Sequence, residues 1–507
     1  MRFIILARFL MFIFIMKIRY LLLLGLLCPL YASPQSGQDT MLVLTLKKAV
    51  EIAREQSPDV RVARHSFRSQ YWNYCYYKAN YLPSLTLTSA PNFNHSINAI
   101  TLPDGTSRYL QQNQTVADAT LSLTQNIAFT GGSLSLQTAV QRMDMLHDNS
   151  YSYRANPVLI EYQQSILGYN SFKWERKIEP IRFEEAKKTY VETLEIVSAY
   201  TTRRFFDLAR AQTNLEMAKF NFVQADTLYI FAQGRYRIGT ITENEILQLE
   251  LNRLTEENNM LNAQIEVDDC MQALRYYLGI SETTPIVVII ENEVPQFTVN
   301  ADFALQLAFT NHPDILTINR AKIESESNVA YVKAATGLRA SIYAQFGLTQ
   351  TNENFREAYR DPLNQQYVRL GITLPILDWG RGKGQVRVAQ SRRDMVFIQQ
   401  EQNLSTFEQN VLIAVKQFNL QTGKVAISTK SDQIAERRNE IARRLYLLGE
   451  STILDLNSAI KEKDAAKRDR INSLYNFWSL YYTLRSLTLY DFEKGIALTE
   501  DYNYLIK

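Results

Sequence analysis

The chain has 507 residues, a mass of 58.6 kDa and a formal net charge of +3. That balance offers no basic excess for nucleic acid, and only 13 prolines and 18 glycines argue against a string of linker-joined domains. The 29 tyrosines and 24 phenylalanines suit either a large core or rings at a membrane interface.

Lys17 and Arg19 precede the apolar run Leu21 to Leu27, and the small residues Ala32 and Ser33 follow. This is the pattern of a secretory signal over residues 1–33, with either Met1 or Met16 as the start. The run is too short for a membrane-spanning helix. Cys28 follows Leu27, which is not the small residue that lipid attachment requires. The mature chain keeps Cys75 and Cys270, expected as free thiols rather than a disulfide framework.

Leu46, Ala49, Val50 and Ala53 recur at helical spacing, and Pro58 interrupts a helix expected over residues 44–78. Beyond Pro83 the period becomes two. Leu85 and Leu87, then Ala117 to Leu123, then Leu134 to Val140, then Val158 to Tyr162 alternate with polar residues. A soluble sandwich and a membrane sheet share this pattern. From Phe172 the helical period returns, with Leu208, Ala211, Leu215, Ala218, Phe222, Ala225, Tyr229, Ala232 and Tyr236 forming a coiled-coil seam. A tip is expected at Tyr236-Arg237-Ile238-Gly239, and a returning helix carries Leu247, Leu254 and Leu261 at steps of seven.

After residues 281–300, read as a linker, the order restarts. Ala49, Ala53, Pro58 and Asp59 recur 255 positions later as Ala304, Ala308, Pro313 and Asp314. Strands follow at Ile342 to Leu348 and Val368 to Leu374, then a helix with Leu420, Ile427, Ile434, Ile441 and Leu448 at steps of seven. A second tip falls at Tyr446 to Gly449, and the last long helix runs from Ile453 to about Leu489. This is an internal duplication: a first repeat over 42–280, a second over 301–490 and a tail over 491–507. The first repeat carries about 45 extra residues, expected as one additional hairpin near 117–150. The fold class expected is mainly α with membrane β. Several copies would pool their helices into a hollow bundle and their strands into one closed barrel, because a bilayer tolerates only closed strand systems.

The chain resembles the TolC family of outer-membrane efflux proteins over nearly all its mature length. The residues that carry the likeness are Leu44-Thr45-Leu46 with Ala49, Ala53, Pro58 and Asp59, and their repeat at Ala304 to Asp314. Leu374-Pro375-Ile376-Leu377-Asp378-Trp379-Gly380 is similar to the family's strand-to-helix signature. Gln164 to Asn170 is its weaker counterpart, with serine for proline and asparagine for the last glycine. The resemblance implies a homotrimer with an α-barrel tunnel and one outer-membrane β-barrel in contact with outer-membrane lipids. A periplasmic adaptor protein and an inner-membrane pump would be its partners, and substrates would pass unmodified.

By position, the resemblance implies Tyr446 and Asp455 as the constriction, with Tyr236, Gly239, Glu245 and Gly449 at tips that meet the adaptor. Pro375, Trp379 and Gly380 would mark the strand-to-helix junction. Ser458 and Ser451 stand where the family often has an acidic residue and an arginine, so the restraint network is only partly present. Asp455 also reads as a solvated carboxylate at a helix start, Tyr446 as seam packing, and the glycines as helix-ending turns. The histidines His65, His95, His147 and His312 are scattered. No hydrolase, metalloprotease or phosphate-loop spacing occurs, so neither catalysis nor a cofactor is expected. The other reading is a structural coiled-coil or adaptor-like envelope protein with a soluble strand domain.

Overall fold

The computed structural model describes residues 42–506 except 102, 147–148, 281–284 and 449. The signal segment and Gly449 therefore lie outside the described residues. The described residues fall into two compact units, a small one of residues 42–43 with 285–287 and a larger one of the remainder. In the smaller unit the Leu42 N–H donates to the Pro285 carbonyl at 2.8 Å.

The larger unit begins with helices α1 (Leu46–Gln56) and α2 (Pro58–Ala79). Proline cannot donate to the preceding turn, so the helix breaks at Ser57, whose hydroxyl accepts the Val60 N–H at 3.3 Å. The break recurs between α5 (Ala301–Asn311) and α6 (Pro313–Thr336), where His312 Nδ1 accepts the Asp314 N–H at 3.2 Å. Ala49 and Ala53, like Ala304 and Ala308, are fully buried, so the repeated alanines are close-approach positions.

Four long helices follow the strands: α3 (Ser171–Arg237), α4 (Glu243–Leu278), α7 (Arg381–Leu448) and α8 (Ile453–Thr488). At 1.5 Å per residue, α3 and α7 are each about 100 Å long. α3 packs on α4 and α8, and α8 on α7, giving the lateral order α4–α3–α8–α7. The core between α3, α7 and α8 holds Phe205, Phe206, Phe418, Phe477 and Leu474. Polar contacts fix the helices' register, including Arg253 to Asp226 at 2.8 Å and Asn221 to Asp464 at 2.8 Å. The α3 seam is buried at Leu208, Ala211, Ala218, Ala225 and Ala232. The seams of α4 and α7 are not, since Leu254 is 50% and Ile434 58% exposed.

The strands are β1 (Leu42–Thr45), β2 (Ser84–Thr88), β3 (Asn92–Thr101), β4 (Ser107–Ile127), β5 (Gly132–Met145), β6 (Ser150–Ser165), β7 (Ile286–Ile289), β8 (Arg339–Asn352) and β9 (Leu363–Thr373). β10 (Tyr490–Asp491) and β11 (Ile496–Ala497) form a small hairpin, and β1 pairs with β7. The main sheet is antiparallel in the order β2-β4-β5-β6-β8-β9, with β3 also on β4.

Two expectations are corrected. The chain is mainly helical, but its strands do not close: among the described residues no sheet forms a barrel, and the helices form a row rather than a ring. Closing a small barrel takes about eight strands at a consistent shear, and among the described residues the edges at β2, β3 and β9 have no partner. The first repeat also contributes five strands, β2 to β6, rather than two and one added hairpin. β4 is long enough to pair with β3 over residues 107–116 and with β2 over 120–124 on the same side. Among the described residues no helix is long and apolar enough to cross a membrane.

Candidate functional site

The first tip closes with a local hydrogen-bond set. Gly239 takes φ +74°, a left-handed conformation that a side chain would strain. Its N–H donates to the Tyr236 carbonyl at 2.9 Å, and the Thr240 N–H donates to Arg235 at 3.0 Å. These two bonds satisfy carbonyls that the end of α3 leaves unpaired. Thr242 then starts α4 in a reciprocal cap: its hydroxyl accepts the Glu245 N–H at 3.3 Å, and its own N–H donates to Glu245 Oε2 at 2.8 Å.

The second tip repeats this chemistry. The Glu450 N–H donates to Leu445 at 2.9 Å, the counterpart of the bond from Thr240. Thr452 accepts the Asp455 N–H at 3.2 Å, while the Thr452 hydroxyl and N–H donate to Asp455 Oδ2 at 2.6 and 3.3 Å. The structure thus places Glu245 and Asp455 in one role, as the third residue of α4 and α8. Both carboxyls sit below the ordinary carboxylate range, Asp455 chiefly through the Thr452 hydroxyl and Glu245 chiefly through the Thr242 N–H.

Between the tips lies a hollow of about 340 Å³, whose lining includes Arg235, Glu245, Tyr446, Ser451 and Thr452. Tyr446, half-buried, and Glu245 are therefore brought together there. Asp455 is exposed and outside the lining, as is Tyr236, which is 42% exposed.

The junction residues stand elsewhere, between β9 and α7. Asp378 accepts N–H groups from Gly380 at 2.9 Å and Gly382 at 2.8 Å, and these bonds hold its carboxyl below the usual range. Trp379 has φ +54° and Gly380 φ +83°. This turn throws Trp379 outward at 90% exposure, beside Ile376 at 92%.

The main sheet has two unlike faces. Leu85, Leu123, Leu136, Ile160 and Phe346 form one cross-strand row, and all five side chains are exposed. Val368, Leu370 and Ile372 extend this apolar face along β9. From Ile342 to Leu348 it spans about 20 Å along the strand. The opposite face carries the row Thr124, Ser135, Glu161, Gln345 and Tyr367. Glu161 there accepts bonds from Gln137 at 2.7 Å and Tyr343 at 2.8 Å. Aromatic residues stand at both ends of the apolar face. Tyr153, Phe355 and Tyr359 are in edge contact at one end, and Phe129 and Trp379 are exposed at the other.

A buried ionic cluster was not anticipated from the sequence. Arg485 donates to Glu195 at 2.7 and 3.1 Å, to Asp491 at 2.7 Å and to Tyr481 at 3.1 Å. Arg54 reaches the same Glu195 at 3.1 Å. The cluster ties α1, α3, α8 and β10 together. Among the described residues no group of three or more His, Cys, Asp or Glu is placed to hold a metal.

No protein-family model matches the chain, and no curated protein sequence matches it. Solved structures do. The Campylobacter jejuni CmeC outer membrane channel superposes with a TM-score of 0.65 at 16% identity, over 91% of this chain and 88% of CmeC. The outer membrane protein VceC of Vibrio cholerae gives 0.60 at 15%, over 87% and 96%. The open-state MtrE outer membrane channel of Neisseria gonorrhoeae gives 0.58 at 15%, over 87% and 88%. The chain therefore has the fold of these outer-membrane channel proteins.

Proposed function

We propose that the chain is a subunit of a TolC-family outer-membrane channel, the outlet of a tripartite efflux or type I secretion system. It works as a homotrimer that passes substrates unmodified through a periplasm-spanning tunnel. A periplasmic adaptor and an inner-membrane pump dock at the tips, and the hollow holding Tyr446 and Glu245, with Asp455 at its margin, forms the inner mouth. The observation that carries this reading is the main sheet, apolar and exposed on one face and polar on the other, with aromatic residues at both ends of the apolar face. A soluble domain would bury that face. The exposed seams of α4 and α7 support association of copies, because steps of seven are kept only where a helix meets another helix.

The test is cell fractionation with electrophoresis of unheated samples. The proposal expects the mature chain in the outer membrane as a detergent-resistant trimer that dissociates on heating. Recovery as a soluble periplasmic monomer would favour a structural envelope protein instead.

A further inference from the structure

We infer that the crossings from sheet to helix form a positively charged, aromatic-anchored collar that binds anionic phospholipids of the inner leaflet in preference to zwitterionic ones. The inference rests on the reading that the apolar sheet face meets hydrocarbon. At the β9–α7 crossing, Leu374, Ile376, Leu377 and Trp379 are all exposed, and they continue the exposed row Val368, Leu370 and Ile372 of the sheet. Trp379 is held out by a tight turn rather than a loose loop, with both oxygens of Asp378 tied to backbone N–H groups. An apolar ledge with an outward indole is what a bilayer's interfacial zone accepts.

Immediately beyond the ledge come Arg381, Lys383 and Arg387, all exposed, and Asp378, whose charge acts on Arg381, is the one carboxylate between residues 374 and 393. The first acidic side chain of α7 is Asp394, and it is engaged by Arg393 at 2.7 Å. The matching crossing from β6 into α3 carries exposed Lys173, Arg176 and Lys177, with Lys177 over the Trp174 ring at 5.1 Å. Glu175 is the only carboxylate between residues 166 and 178. Cations in excess over carboxylates beside a lipid-facing ledge complement phosphate-bearing headgroups of net negative charge, and each such cation strengthens attachment several-fold.

The experiment uses the full mature chain reconstituted into vesicles of phosphatidylcholine mixed with phosphatidylglycerol, with one or the other lipid brominated. The readout is the fluorescence lost in Trp379→Phe. Brominated phosphatidylglycerol should quench it about five-fold more per mole than brominated phosphatidylcholine. Combined Arg381→Gln, Lys383→Gln and Arg387→Gln should remove the preference and keep the quenching, and the matching lysine variants at Arg381 and Arg387 should restore it. Equal quenching by both lipids in the wild type would overturn the collar and leave the membrane reading standing. A preference that survives in the glutamine variant would also overturn it. No quenching by either lipid would overturn both.

Discussion

Asp455 and Glu245 each do two things that one substitution confounds. Each carboxylate closes a helix cap and places negative charge at a tip. Asp455→Asn keeps an acceptor for Thr452 and removes the charge. In planar bilayers it should weaken divalent-ion block as much as Asp455→Ala does, while lowering the thermal midpoint of the proposed trimer less, because the alanine variant loses the cap as well as the charge. Unaltered block in the asparagine variant would remove Asp455 from the mouth. The direction of the pKa shifts fixes a pH dependence as well. A carboxyl whose folded pKa is depressed contributes stability above its unfolded pKa and loses it as pH falls through the folded one. Hydrogen exchange, corrected for its intrinsic pH dependence, should show residues 240–246 and 450–456 losing protection first as pH drops below about 4. Arg485 is a buried cation at the centre of its cluster. Arg485→Met leaves fully buried Glu195 with Arg54 as its remaining cation and deprives Asp491 of its guanidinium partner, so it should cost about 3–5 kcal/mol in thermal or denaturant unfolding. A loss under about 1 kcal/mol would mean that Arg54 compensates.

The elements divide into those legible in the sequence and those that were not. The breaks before Pro58 and Pro313 and both tips rest on interactions within a few residues, so local pattern sufficed. The reciprocal caps are equally local, in the spacing Thr242 to Glu245 and Thr452 to Asp455, yet they were overlooked beside the glycines. The Arg485 cluster was illegible because Glu195 lies 290 positions away. Steps of seven read as seams, but periodicity does not say which partner covers a seam, or whether one does within the chain. Alanine-rich α3 is covered within the chain, while the leucine and isoleucine stripes of α4 and α7 are open. Strand alternation likewise located most of the sheet but missed β3, whose run Asn92–Thr101 does not alternate cleanly. Leu254→Asp or Ile434→Asp should therefore abolish the detergent-resistant trimer while the monomer keeps its helical circular dichroism. Loss of helicity instead would place those stripes inside the subunit.

At the scale of the molecule, the order of broken helix, strands, long helix and returning helix occurs twice along the chain, as the proposed duplication requires. The likeness to CmeC, VceC and MtrE at 15–16% identity shows how few positions such a chain must hold. Turns, caps, small residues at close approaches and helix length carry the fold, and the rest is free to change. The lateral order α4–α3–α8–α7 has one more consequence. The two flanking helices come from different halves of the duplication, so in the proposed trimer neighbouring copies would meet head to tail, the first half of one against the second half of the next. A copy spoiled only at Leu254 still offers a sound α7 flank, and a copy spoiled only at Ile434 a sound α4 flank. Co-expressed, the two should pair once and stop, giving a heterodimer with no route to ring closure.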